Sequence, residues 1–240
     1  MSRSNRVFVS AAVVFGGFVA FGSGCASSQC VDDGSDAVIT QSEQAGMSPD
    51  SVLADLKAGN KRFAAGNSTE YDLLAQARAT ASGQYPGAIV LGCLDSRVPP
   101  EMVFDQGIGD IFVGRVAGNF ENVDLLGSME FGTKLAGSKL IVVLGHGSCG
   151  AVKGAVDQAK LGNLTATLAN ISVNTTGISG ERSSKNSALV DSVIEENVRQ
   201  TVRDIYSRSP VMAELVRQGD LKIVGAIYDL ETGRVEWLED

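Results

Sequence analysis

The sequence predicts an α/β domain: a mainly parallel central sheet, four parallel strands plus a C-terminal antiparallel edge strand, flanked by helices. Three observations predict it. Ala88-Ile89-Val90-Leu91-Gly92 and Leu140-Ile141-Val142-Val143-Leu144-Gly145 are apolar throughout, as strands buried on both faces are. Helical periodicity fills the stretches between such runs, the alternation that builds parallel sheets. After the last long strand a Glu231-Thr232-Gly233 turn sends the chain back as a short partner.

Residues 1–24 read as an export signal. Arg3 and Arg6 form a positive start, and Val7 to Phe21 is an apolar run broken by Gly16 and Gly17. At about 15 residues the run is shorter than the roughly 20 that a spanning helix needs. Cys25, after Gly22-Ser23-Gly24, resembles a bacterial lipoprotein cleavage box, although Gly22 stands where Leu is usual. The expectation is an exported protein, periplasmic or membrane-anchored facing the periplasm, with Cys25 a candidate lipid anchor. A retained N-terminal anchor is the alternative.

Residues 25–47 are Ser-, Gln-, Asp- and Gly-rich and read as a disordered tether. The domain, 48–240, should open at Ser48-Pro49, an N-cap followed by Pro at the first helical position. Val52, Leu53, Leu56 and Phe63 share a face of that helix, which Gly59 should weaken. A second helix is expected over 69–81. Strands follow at 88–93 and 111–116, then a helix over 124–135 and a strand at 139–144. Another helix begins near Cys149, a polar Ser/Asn-rich segment covers 163–187, and a long helix runs over 186–207. Its inward residues are Leu189, Val193, Ile194, Val198, Val202 and Ile205. Strands at 221–230 and 234–238 close the chain.

Hydrophobic content of 44% over 240 residues suits one domain with a real core plus a leader. A formal charge of −8 argues against a nucleic-acid partner, because phosphate binding needs a basic surface. The four cysteines, Cys25/Cys30 and Cys93/Cys149, are too few and too scattered to frame a disulfide fold.

Chemistry gathers at two strand ends. Cys93-Leu94-Asp95-Ser96-Arg97 follows the first apolar run, and His146, the only histidine, follows another, with Cys149 three residues on. Ligands of parallel sheets bind beyond the carboxyl ends of the strands. Cys93, His146 and Cys149 are three ligands of the kinds zinc prefers, the number that leaves a catalytic site one open position. Singly, the cysteines also read as small buried hydrophobes and His146 as a core imidazole. A structural zinc is disfavoured, since the folded domain offers no fourth Cys or His. The fourth position falls to water or to Asp95. Arg97 has the fork to hold that carboxylate bidentately, or the two form a loop-stabilising ion pair.

These residues identify the chain as similar to the β-class carbonic anhydrases. The family's CxDSR motif is matched by Cys93, Asp95, Ser96 and Arg97, and its HxxC motif by His146 and Cys149. Family-like segments in order are 56–60, 97–101, 105–107, 115–119 and 145–146, so the likeness spans roughly 50–160. The resemblance implies zinc on Cys93, His146 and Cys149, with Asp95 in a closed state, and Asp95 and Arg97 as the catalytic dyad. It also implies Gln84, nine residues before Cys93, in the substrate pocket, often across a dimer interface, with Phe112 and Ala117 as pocket walls. A homodimer or higher homo-oligomer is implied. Phe131 stands where many members have Tyr, and Val90 where the bicarbonate-inhibited subgroup has Trp.

The implied reaction is zinc-dependent reversible hydration of CO2 to bicarbonate and a proton, by attack of zinc-bound hydroxide; carbonic anhydrase is itself the standard example of a zinc that makes water acidic near neutral pH. Hydrolysis of CS2 or COS on the same fold, and a non-catalytic zinc-containing binding protein, are the rival readings. A redox dithiol is weaker, because the two cysteines are far apart in sequence.

Overall fold

A computed structural model describes residues 37–174 and 176–239. The leader, with Cys25 and Cys30 and the tether to residue 36, lies outside the described residues. Among the described residues no helix is long and apolar enough to cross a membrane.

The chain joins the fold before Ser48. Helix α1, Gln41–Gly46, is opened by a capping box between Thr40 and Glu43. Its buried Gln44 donates to the carbonyls of Pro86 (2.9 Å) and Ala136 (2.8 Å). The tether reading therefore fails over its last residues: a low-hydrophobicity stretch is held by polar contacts that composition does not register. Helix α2, Pro49–Ala64, begins as expected, with the Ser48 side chain accepting from the Ser51 amide. Its buried Asn60 donates to the carbonyls of Val103 and Gly233 and accepts from the Val235 amide, tying the helix to two distant loops. Helix α3 is shorter than expected, Leu73–Ala79. Thr69 is spent on the Asp105 carboxylate, through its amide at 2.9 Å and its hydroxyl at 2.9 Å, and Asp72 becomes the N-cap.

The sheet is the predicted one. Strands β1 (Ala88–Gly92), β2 (Ile111–Arg115), β3 (Leu140–His146), β4 (Lys222–Tyr228) and β5 (Val235–Trp237) lie in the order β2-β1-β3-β4-β5. All neighbours are parallel except β4 and β5. Every residue of β1 and β3 is buried, because both faces are covered. Val90, Leu140, Val142 and Leu144 pack with Val52 and Leu56 of α2 and with Phe104, which follows the short helix α4 (Pro100–Val103). Ile89, Leu91, Ile141 and Val143 point the other way, the period-two alternation of a strand. They pack with helix α5 (Val123–Glu130), helix α8 (Ser187–Arg208) and helix α9 (Pro210–Gln218). A third cluster lies at the carboxyl end of the sheet. There Cys93 and Cys149 meet helix α6 (Gly150–Val156), helix α7 (Leu164–Leu168) and the first turns of α8.

Three further details differ from expectation. The helix expected over 124–135 is α only to Glu130 and continues as a π turn, Phe131–Leu135. The Ala136 amide bonds the Phe131 carbonyl, and the Thr133 hydroxyl donates back to Met129. Helix α7 lies within the polar Ser/Asn-rich segment, where no element was named. Helix α9, unanticipated, is opened by Ser209 with Pro210 at its first position and closed by Gly219 at φ +79°.

Candidate active site

Parallel pairing brings the two motif loops together. Gly92 pairs with Leu144 on β3 and with Arg115 on β2, so Cys93 leaves the sheet at the level where β3 ends in His146. Cys149 caps α6 three residues later. The ligand atoms of Cys93, His146 and Cys149 all lie within 4.8 Å of one another. All three side chains are buried, His146 completely.

The donor set is shaped for a metal ion. Nδ1 of His146 lies 2.9 Å from the Gly147 carbonyl, an atom that can only accept, so the proton sits on Nδ1. Nε2 is left as a bare acceptor, and it is buried with no hydrogen-bond partner. An unpaired buried nitrogen is costly unless something binds it. The two sulfurs lie 3.9 Å apart. That contact draws the Cys93 thiol down, against a desolvation that pushes it up; the hydrogen bond from the Gly118 amide lowers it further. Cys149, sharing the same contact and buried beside that charge, is pushed up. A divalent cation would deprotonate both.

At the rim, Arg97 grips Asp95 with both arms. Its Nε donates to Oδ1 (2.9 Å), its Nη2 to Oδ2 (2.7 Å) and its backbone amide to Oδ1 (3.0 Å). Hydrogen bonds from Arg97 hold the Asp95 carboxyl well below the usual carboxylate range, against a smaller opposing effect of burial. Oδ2 of Asp95 lies 3.9 Å from the bare Nε2 of His146.

A family model described as carbonic anhydrase matches residues 88–235. The chain is 40% identical over 183 residues to carbonic anhydrase 2 of Mycobacterium tuberculosis, covering 75% of this chain and 87% of that protein. It belongs to the carbonic anhydrase family. The carbonic anhydrase of Mycolicibacterium smegmatis is also 40% identical, over 75% of this chain and 89% of its own. Among solved structures, the β-carbonic anhydrase CafA of Aspergillus fumigatus superposes with a TM-score of 0.62. Its identity is 27%, over 78% of this chain and 90% of that one. The β class, the α/β fold and the carbonic anhydrase identity expected from the motifs are all borne out.

Two features of this carbonic anhydrase were not legible in the motifs. Arg115, at the end of β2, donates from Nε to the Cys93 carbonyl (2.8 Å) and from Nη2 to the Asp95 carbonyl, clamping the loop between them. Asn197 of α8 donates to the Gly118 carbonyl (2.8 Å), while the Gly118 amide points at the Cys93 sulfur (3.4 Å). An inward polar residue in an apolar helical stripe was the available signal for Asn197.

The three pocket residues divide. Ala117 adjoins Gly118 and is half-buried beside the cluster. Phe112 pairs with Ile89, four residues before Cys93, which sets it about 13 Å down the sheet from the cysteine. It packs edge-on against Phe131, ring centroids 6.4 Å apart. Gln84 is exposed, precedes β1 at the amino ends of the strands and makes no side-chain hydrogen bond among the described residues. Within one chain, Gln84 and Phe112 are remote from the sulfur–imidazole cluster.

Proposed function

We propose that the chain hydrates CO2 reversibly at a zinc ion held by Cys93, His146 and Cys149. The observation that carries this is the orphaned, wholly buried Nε2 of His146, facing two sulfurs within 4.8 Å. Three such donors suit zinc and leave one tetrahedral position free. Zinc bound there would supply a Lewis acid that makes water acidic near neutral pH, the property for which carbonic anhydrase is the standard example.

The protein's own residues do the rest. The Gly147 carbonyl fixes the His146 tautomer and ring orientation. Asp95, kept ionised by Arg97, is an acceptor at neutral pH: it takes a hydrogen bond from a reacting O–H and orients the oxygen lone pair toward CO2. While Arg97 holds both its oxygens, Asp95 is kept from turning inward to close the site. The proton produced cannot leave on a free imidazole, because the one histidine is committed. Water and external buffer carry it, since Arg97 keeps Asp95 ionised.

Gln84 and Phe112 reach a site only if a second copy delivers them, so the active form is proposed to be a homo-oligomer. The open edge of β2 and the exposed Leu73, Leu74, Met102 and Ile108 favour such an assembly. Export by residues 1–24, a periplasmic location and lipid attachment at Cys25 are likewise proposed, on the charge and hydropathy of that leader. Metal analysis tests the zinc reading. About one zinc per chain is expected, lost in Cys149→Ser; metal-free protein with full CO2 hydration activity would overturn it.

A further inference from the structure

We infer that Asn197 is a positioning residue of the metal centre, acting on the Cys93 sulfur through the Gly118 peptide. This rests on the metal-centre reading of Cys93, His146 and Cys149.

The Gly118 amide donates to the Cys93 sulfur at 3.4 Å, a hydrogen bond that withdraws charge from the thiolate. Its strength depends on how firmly Gly118 is held, and three contacts hold it. The peptide joining Gly118 to Asn119 is pinned at both ends. Asn197 Nδ2 donates to its oxygen (2.8 Å), and its N–H donates to the Val116 carbonyl (3.0 Å). On the third side Ile171 packs so closely that a Cβ at Gly118 would meet its Cδ1 at 2.7 Å. Gly118 sits at φ +92°, a conformation that other residues adopt at a cost.

Asn197 is buried, and it sits on the inner face of α8 among Val193, Ile194 and Val198, a long way in sequence from either motif. Its donor is spent on the one residue that reaches from β2's loop to the sulfur. A leucine of similar size would keep the packing and leave the Gly118 carbonyl unpaired, freeing the peptide to relax. The Cys93 sulfur then becomes a more electron-rich ligand in a looser position.

The test uses cobalt(II) in the wild-type chain and in Asn197→Leu, with Asn197→Asp as the second variant should the leucine protein not fold. Ile205→Ala, a core truncation on the same helix but in the cluster away from the cysteines, is the control for destabilisation alone. The thiolate-to-cobalt charge-transfer band should move to longer wavelength in the Asn197 variants and stay in place in Ile205→Ala. Metal affinity, from competition with a chelator, should fall about tenfold in the Asn197 variants, the usual effect of losing a residue behind a ligand. A band at the wild-type wavelength in the folded Asn197 variant overturns the inference, as does an equal shift in Ile205→Ala. A wild-type chain that shows no thiolate band removes the metal-centre reading itself, and the inference with it.

Discussion

Asp95 is held by Arg97 through both carboxylate oxygens while one of them, Oδ2, stands 3.9 Å from the unpartnered Nε2 of His146. The carboxylate is thus tethered to the rim of the site, within one side-chain rotation of its centre. Arg97 is half exposed, and an ion pair of that kind contributes little to folding. Its value lies in where it keeps the carboxylate.

Arg97→Lys keeps the charge and loses the fork, so kcat/KM for CO2 hydration should fall about tenfold or more. Asp95→Asn should cost about 100-fold, the usual scale for removing a positioned proton acceptor. Both proteins should bind as much metal at the proposed site as the wild-type chain and melt near its temperature. Loss of metal together with activity would show that the pair is structural.

The direction of the Asp95 shift gives a pH prediction. Its carboxyl is lowered in the folded chain, chiefly by Arg97. Stability from this group is therefore present above its unfolded pKa of about 3.9 and is lost as pH falls through the lower folded value. In the metal-free protein, carbon-13 NMR should find Asp95 still ionised at pH 4. Arg97→Ala should move its midpoint up toward about 3.9. An unchanged midpoint in that variant would remove Arg97 as the cause.

Zinc at the proposed site should stabilise the fold, because an ion bound only by the native state adds stability by mass action. At a thousandfold excess over Kd that is about 4 kcal/mol, or about 10 °C in Tm for a domain of this size. Calorimetry with and without a chelator checks it. Identical melting curves would mean that the three ligands bind nothing.

Gly59→Ala tests the packing of α2. In an exposed helix this change stabilises by about 1 kcal/mol. Here the added Cβ would lie 1.8 Å from the Phe104 carbonyl oxygen, because the two backbones touch. A net loss of about 2 kcal/mol is expected, lowering Tm by about 5 °C. A higher Tm would contradict the contact.

Gly59 also marks what the sequence could and could not convey. Its helix was legible from Ser48-Pro49 and the apolar face, but the glycine looked like a flaw when it is a point of close approach. Cys93, His146 and Cys149 were legible because apolar runs place their ends, and sheet topology then fixes which ends meet. Asn197 and Arg115 were not, since each acts through a backbone atom that leaves no trace in residue type. Gln84 was read only from a resemblance, as a residue often acting across a dimer interface, and β1 does separate it from its own Cys93. Helices α1 and α9 carried readable caps, Thr40 with Glu43 and Ser209-Pro210, in stretches where composition spoke louder.

The central claim is that this arrangement turns over CO2 and passes its proton outward without a free histidine. Stopped-flow CO2 hydration by the zinc-loaded protein at rising buffer concentration tests it most directly. Turnover should appear between pH 7 and 9 and should climb with buffer before it saturates, since His146 is the only imidazole and is buried in the ligand set. No turnover across that range, with about one zinc per chain in place, would contradict it.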